Sequence, residues 1–236
     1  MNTLILEQHQ FINDTRCVLN ARQQQHIKQV LKSQIGESLQ VAKLNGLMGT
    51  AQLVGDEHGL ALEHIELKQN PPKQLPVSLV LALPRPQMLK RILQTVACFG
   101  VKELHLIQSR RVEKSFWQSP SASDDAIYEQ LILGLEQAKA SQLPKVSKHR
   151  RFREFAEDLC PELCRNKQAL VAHPGPYPMF AFEHCEAEKV IAIGPEGGFN
   201  DFEIALFLKA GFTARQLGPR ILKVETAVTT LLARCL

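Results

Sequence analysis

Residues 193–227 read IGPEGGFNDFEIALFLKAGFTARQLGPRILKVETA, and the reading of this stretch decides the fold. The apolar run Val190–Ile193 enters it as a strand of the kind buried on both faces of a parallel sheet, and it stops at Gly194-Pro195. Asn200 is placed to cap a helix, with Glu203 three residues on as its capping-box partner. Phe202, Ile204, Ala205, Phe207 and Leu208 supply an apolar face, and Gly211 is suited to end the helix. The unit is strand, glycine turn, helix. It then repeats: Ala214–Leu217 as a strand, Gly218-Pro219 as the turn, and a helix with Ala227, Val228, Leu231 and Leu232 on one side. Glu225 falls in the first turn of that helix, where a carboxylate complements the helix dipole. Glycines let a ligand approach the main chain closely, and ligands of open parallel sheets collect beyond the carboxyl ends of the strands.

The two turns, GPEGGF and LGPRILKVETA, together resemble the carboxyl-terminal signature of the RsmE-type ribosomal RNA methyltransferases of the SPOUT superfamily. The resemblance implies an α/β domain closed by a trefoil knot, with the final helix threaded under an earlier loop. It also implies S-adenosylmethionine as cofactor, held bent among the knot loops, and N3 of a uridine in small-subunit (16S) ribosomal RNA as methyl acceptor. A homodimer is implied as well, each RNA site being completed by the second subunit. On the matching positions, His173, Gly194, Glu196, Gly197, Gly198, Leu217, Gly218, Ile221, Leu222 and Thr226 are expected at the cofactor. Arg220 is the candidate catalytic residue, because a guanidinium beside the uracil oxygens would stabilise the anion formed when N3 loses its proton. Two bland roles stay open. Arg220 could order the loop through Glu196 or Glu225, and His173 could be a turn residue ahead of Pro174.

Working outward, 236 residues with 44% hydrophobic content suffice for two modest domains. Asn70-Pro71-Pro72-Lys73-Gln74-Leu75-Pro76 marks the boundary, since clustered prolines favour an extended linker. The expected layout is a first domain over 1–70, a linker over 71–76 and an α/β domain over 77–236. In the first, Ser38–Ala42 and Gly49–Val54 read as strands about an Asn45-Gly46 hairpin, and Ala21–Ser33 has a helical pattern. His26, Val30-Leu31-Lys32 and Gly36-Glu37 resemble the family's segment in a small PUA-like β-barrel that helps bind RNA. In the second, Val77–Leu83, Glu103–Gln108 and Ala169–Ala172 read as strands alternating with helices over Gln87–Phe99, Asp124–Ala140 and Phe152–Cys164.

Charge separates the two halves. Residues 1–70 carry six Lys/Arg against seven Asp/Glu, whereas 73–119 carry eight against two, and 145–153 hold five with no acid. Clustered cations suit phosphates, which puts Arg85, Lys90, Arg91, Arg110, Arg111, Lys114, Arg150 and Arg151 forward for RNA contact, joined in the first domain by Arg16, Arg22, Lys28 and Lys32. A solvated surface is the alternative for each. Arg111, with Ser109, also matches a family segment.

Other chemistries are disfavoured. GPEGG is followed by Phe199-Asn200 rather than the lysine and Ser/Thr of a nucleotide-hydrolysing phosphate loop. The six cysteines are scattered; Cys160 and Cys164 with His184-Cys185 lack a paired zinc-site spacing, so reduced thiols and no metal are expected. No run is long and apolar enough to suggest export or a membrane span, and the expected compartment is the cytoplasm. The chain departs from the family pattern in places. Ala138-Lys139-Ala140 stand where Ser-Gly-Arg is usual after Glu136-Gln137, Lys223 stands for an arginine, and Ala97-Cys98-Phe99-Gly100 replaces Thr-Glu-Leu-Gly. These departures leave a knotted RNA-binding paralogue, with an altered substrate or without transfer activity, as the alternative function.

Overall fold

The computed structural model describes residues 3–57, 59–181 and 187–236. Among the described residues the fold is mixed α/β with two six-stranded sheets. The chain divides into two compact units, Met1–Lys73 with Ile132–Leu143, and Gln74–Leu131 with Pro144–Leu236.

The first unit contains strands β1 (Leu4–Leu6), β2 (Phe11–Asn13), β3 (Arg16–Val18), β4 (Ser38–Lys43), β5 (Met48–Asp56) and β6 (Gly59–Gln69), in sheet order β1-β4-β5-β6-β3-β2. β1 pairs with β4 in parallel and the rest are antiparallel. The β4–β5 hairpin turns at Asn45, whose φ of 57° is the left-handed conformation that asparagine tolerates. Helix α1 (Ala21–His26) is capped by Asn20 and Gln23 and runs on into a π-turn over Ile27–Leu31. Gln23 is buried but satisfied, donating to the Ile5 carbonyl at 2.8 Å and accepting from Gln10 at 2.7 Å. Leu4, Leu6, Cys17, Val41, Leu53 and Leu62 form the centre of this unit's core.

The second unit holds β7 (Leu75–Ala82), β8 (Val101–Ile107), β9 (Lys145–His149), β10 (Gln168–Ala172), β11 (Lys189–Ile193) and β12 (Thr213–Arg215). The order is β12-β10-β11-β7-β8-β9, with every pairing parallel. Central β11 is buried at all five residues, which is what a continuous apolar run needs when both faces are covered. Helices are α2 (Pro86–Cys98), α3 (Asp124–Ala138), α4 (Phe152–Glu154) and α5 (Cys160–Leu163) joined by a π-turn over Phe155–Leu159, α6 (Asp201–Lys209) and α7 (Val224–Ala233). α3 begins in this unit, and its last residues belong to the first. Among the described residues no helix is long and apolar enough to cross a membrane.

A strand went unread in the sequence, and one expectation needs correction. Lys145–His149, read as part of a basic run, is the edge strand β9, and Lys148 reaches the Ala122 carbonyl at 2.7 Å and Asp124 at 2.5 Å. Helix α6 buries Ile204, Leu206 and Phe207, while Phe202 and Leu208 are exposed. The helix is apolar nearly all round, so periodicity could not choose its inner face. The capping box of Asn200 and Glu203 forms as expected. Cys17, Cys160 and Cys235 are buried thiols, and burial pushes Cys17 up to about 11 and Cys235 up to about 12. His184 and Cys185 lie outside the described residues.

Candidate cofactor and substrate cavity

Because the second sheet is parallel throughout, the segments that follow its strands all leave at one end. There the turns after β7, β10, β11 and β12, with the start of α2, enclose a cavity of about 1220 Å³. Each wall has a local reason. Gly194 is buried, and a Cβ there would stand 3.0 Å from the Phe199 nitrogen and 3.2 Å from the main chain of Gly198. Gly198 has a φ of 72° and donates its N–H to the Pro195 carbonyl at 2.7 Å, closing the turn. Opposite, Gln216 is a main-chain staple: its N–H donates to Pro178 at 3.0 Å, its side-chain amide to Tyr177 at 2.8 Å, and its carbonyl accepts from Phe180 at 2.8 Å. Pro86 at the first position of α2 starts that helix without wasting a donor.

Of the expected cofactor residues, His173, Gly194, Glu196, Gly198, Leu217, Gly218, Ile221 and Leu222 line the cavity, and so does Arg220. Gly197 and Thr226 do not. Gly197 turns instead toward Arg111, whose Nη1 donates to its carbonyl. His173 has its Nδ1 buried with no partner among the described residues, and burial, reinforced by the Arg111 charge and opposed by Asp201, holds the ring below the usual imidazole range. The ring therefore has hydrogen-bonding capacity to spare at Nδ1.

Arg220 is exposed, and neither Glu196 nor Glu225 lies within ion-pair distance of it. Glu196 is held elsewhere, accepting from the Arg85 N–H at 3.2 Å with the Arg85 Nε at 4.0 Å. The loop-ordering role considered for Arg220 thus lacks its carboxylate among the described residues. Glu225 sits in the first turn of α7 and also faces the cavity.

The basic shortlist divides by partner. Arg85 pairs with Glu196, Arg151 with Glu154 at 2.7 Å, and in the first unit Arg16 with Glu63 at 3.2 Å and Arg22 with Glu136 at 2.8 Å. Arg110, Arg150, Lys28 and Lys32 are exposed, and Arg150 lies over the Trp117 ring at 5.4 Å. Arg91 lines the cavity. Sequence reasoning missed Glu113, Phe116 and Gln216 as cavity residues. Gln216 was accessible in principle, standing where the strand meets the second glycine turn, while Glu113 and Phe116 arrive from a loop with no motif.

Comparisons with known proteins place the chain among RNA methyltransferases. Residues 71–236 match the family model described as an RNA methyltransferase domain. A relative from Treponema pallidum named ribosomal RNA small subunit methyltransferase E is 30% identical over 233 residues, covering 96% of this chain and 87% of its own. The protein of the same name from Synechocystis is 30% identical over 243 residues, covering 98% of this chain and 76% of its own. In fold, the chain resembles a crystal structure of a ribosomal RNA small subunit methyltransferase E from Neisseria gonorrhoeae bound to S-adenosyl methionine. The TM-score is 0.80 at 21% identity, covering 98% of this chain and 95% of that one.

Proposed function

This chain belongs to the RNA methyltransferase domain family, and from that premise we propose that it transfers a methyl group from S-adenosylmethionine to N3 of a uridine in small-subunit ribosomal RNA. The observation that carries the reading is the cavity of about 1220 Å³ built from both glycine turns at the carboxyl end of a parallel sheet. The residues present fit the cofactor. A Cβ on Gly198 would meet nothing closer than 3.9 Å, so main chain there is open to a ligand, and beside it the His173 Nδ1 is a buried polar atom with no partner among the described residues. S-adenosylmethionine supplies an electrophilic methyl group on a sulfonium.

The chain's own groups do the rest. His173, Gly194, Gly198, Leu217, Gly218, Ile221 and Leu222 hold the cofactor largely through main-chain donors and acceptors, with Glu196 at the rim and Gly197 and Thr226 acting from outside the lining. Leu217 and Leu222 exclude water. Arg220 faces the acceptor base and stabilises the charge that develops on the uracil when N3 gives up its proton, an electrostatic contribution that needs no rearrangement of the site. Arg85, Arg110, Arg150 and Arg151 contact RNA phosphates, and the first unit, as a PUA-like domain, adds Arg16, Arg22, Lys28 and Lys32.

The same reading includes a trefoil knot around α7, a homodimer and a cytoplasmic location.

The test is transfer of labelled methyl to small ribosomal subunits or their RNA, with the product nucleoside identified by mass spectrometry. N3-methyluridine is expected. Cofactor binding with no transfer to any ribosomal substrate would overturn the enzyme reading in favour of an RNA-binding protein.

A further inference from the structure

We infer that Arg111 is a positioning residue for the cofactor turn, acting through the main chain of Gly197, and not an RNA contact; that the turn's ligand is S-adenosylmethionine rests on the function proposed above. An exposed arginine at the end of a strand in a basic region invites assignment to phosphate. Its surroundings point elsewhere.

The Arg111 side chain runs along the GPEGG turn. Its Nη1 donates to the Gly197 carbonyl, and its stem occupies the space where a side chain on Gly197 would go. A Cβ on Gly197 would stand 2.9 Å from the Arg111 Cδ and 3.4 Å from its Cβ. Gly197 is not among the residues with positive φ, so its backbone does not demand glycine. The passage of Arg111 does. The guanidinium continues past Gly198, where a Cβ would meet the Arg111 Nη1 at 4.0 Å on one side and the His173 Cε1 at 3.9 Å on the other. Arg111 and His173 therefore bracket the glycine whose positive φ closes the turn.

A second tether comes from the residue before it. The Arg110 N–H donates to Glu203 Oε1 at 2.7 Å, while Glu203 Oε2 accepts from the Asn200 N–H at 3.0 Å. Glu203 is 2% exposed. The loop after β8 is thus fixed to the segment after β11 at two points, Gly197 and Glu203. With Nη1 committed to a carbonyl of its own chain, the Arg111 guanidinium is held along the turn, and only its remaining N–H groups are left for another partner.

Four variants and two ligands test this: R111A, R111K, G197A and the double variant R111A/G197A, with calorimetric binding of S-adenosylmethionine and filter binding of small-subunit RNA. In R111A the cofactor Kd and KM should rise about tenfold or more, with RNA affinity changed by less than about twofold. R111K, which keeps a cationic donor group but not the planar fork, should recover part of the loss. G197A alone should weaken cofactor binding and add little in the R111A background, since the stem it clashes with is gone. Hydrogen exchange without any ligand should accelerate at residues 197–200 in R111A. Weakened RNA binding at unchanged cofactor Kd, additive losses in the double variant, or unchanged exchange would each overturn the inference. If the wild type binds no S-adenosylmethionine, the proposed function fails, and the exchange experiment still decides the role of Arg111.

Discussion

Arg22 meets Glu136 through two hydrogen bonds, Nη1 to Oε2 at 2.9 Å and Nη2 to Oε1 at 2.8 Å, and the Glu136 side chain is 2% exposed. The pair joins α1 to the end of α3 within the first unit. Removing the cation leaves a buried carboxylate without its countercharge, which costs more than the pair itself contributes. Arg22→Ala should lower unfolding stability by about 3 kcal/mol in urea titration, and Arg22→Ala with Glu136→Leu should recover much of that. A loss of RNA affinity with unchanged stability would instead favour a phosphate role.

Arg220 is exposed, lines the cavity and has neither Glu196 nor Glu225 within ion-pair distance. Arg220→Ala should lower kcat for methyl transfer about 100-fold or more while leaving cofactor Kd and thermal midpoint nearly unchanged. A large fall in thermal midpoint with proportionate loss of activity would mark a structural residue.

His105 packs against His149 with ring centroids 5.4 Å apart, its Nδ1 3.2 Å from the His149 Nε2 and its Nε2 3.7 Å from Glu103. Burial, aided by the His149 charge and opposed by Glu103, lowers His105 to about 4. A base with a depressed folded-state pKa binds its proton more readily when unfolded, so its contribution to stability is whole above the unfolded value of 6.5 and is lost as pH falls toward about 4. The loss should be on the order of 2–3 kcal/mol across that window, measured by urea unfolding at several pH values. His105→Asn should flatten the slope there.

Lys139 ends α3 in the left-handed region at φ 51°, with the Ala140 N–H donating to the Leu135 carbonyl at 3.1 Å. This is a Schellman cap, whose left-handed residue is usually glycine. Lys139→Gly should stabilise the chain by about 0.5–1 kcal/mol in thermal or urea unfolding.

The sequence alone determined whatever rests on contacts within a few residues. The two glycine turns, the Asn200–Glu203 capping box, the doubly buried β11 and the apolar face of α7 were all legible, because hydrogen bonds and periodicity over three or four positions specify them. Most of the cavity lining followed from those turns. Beyond that range local patterns are silent. The order β12-β10-β11-β7-β8-β9, the edge strand hidden in a basic run at Lys145–His149, and the joining of Ile132–Leu143 to the first unit depend on pairings between distant segments. Arg22 and Glu136 are 114 positions apart, and Arg111 and Gly197 are 86. An exposed-looking arginine reads the same in sequence whether it faces a phosphate or its own chain. Only the tertiary structure decides, since it alone determines which carboxylate or carbonyl has already taken the guanidinium.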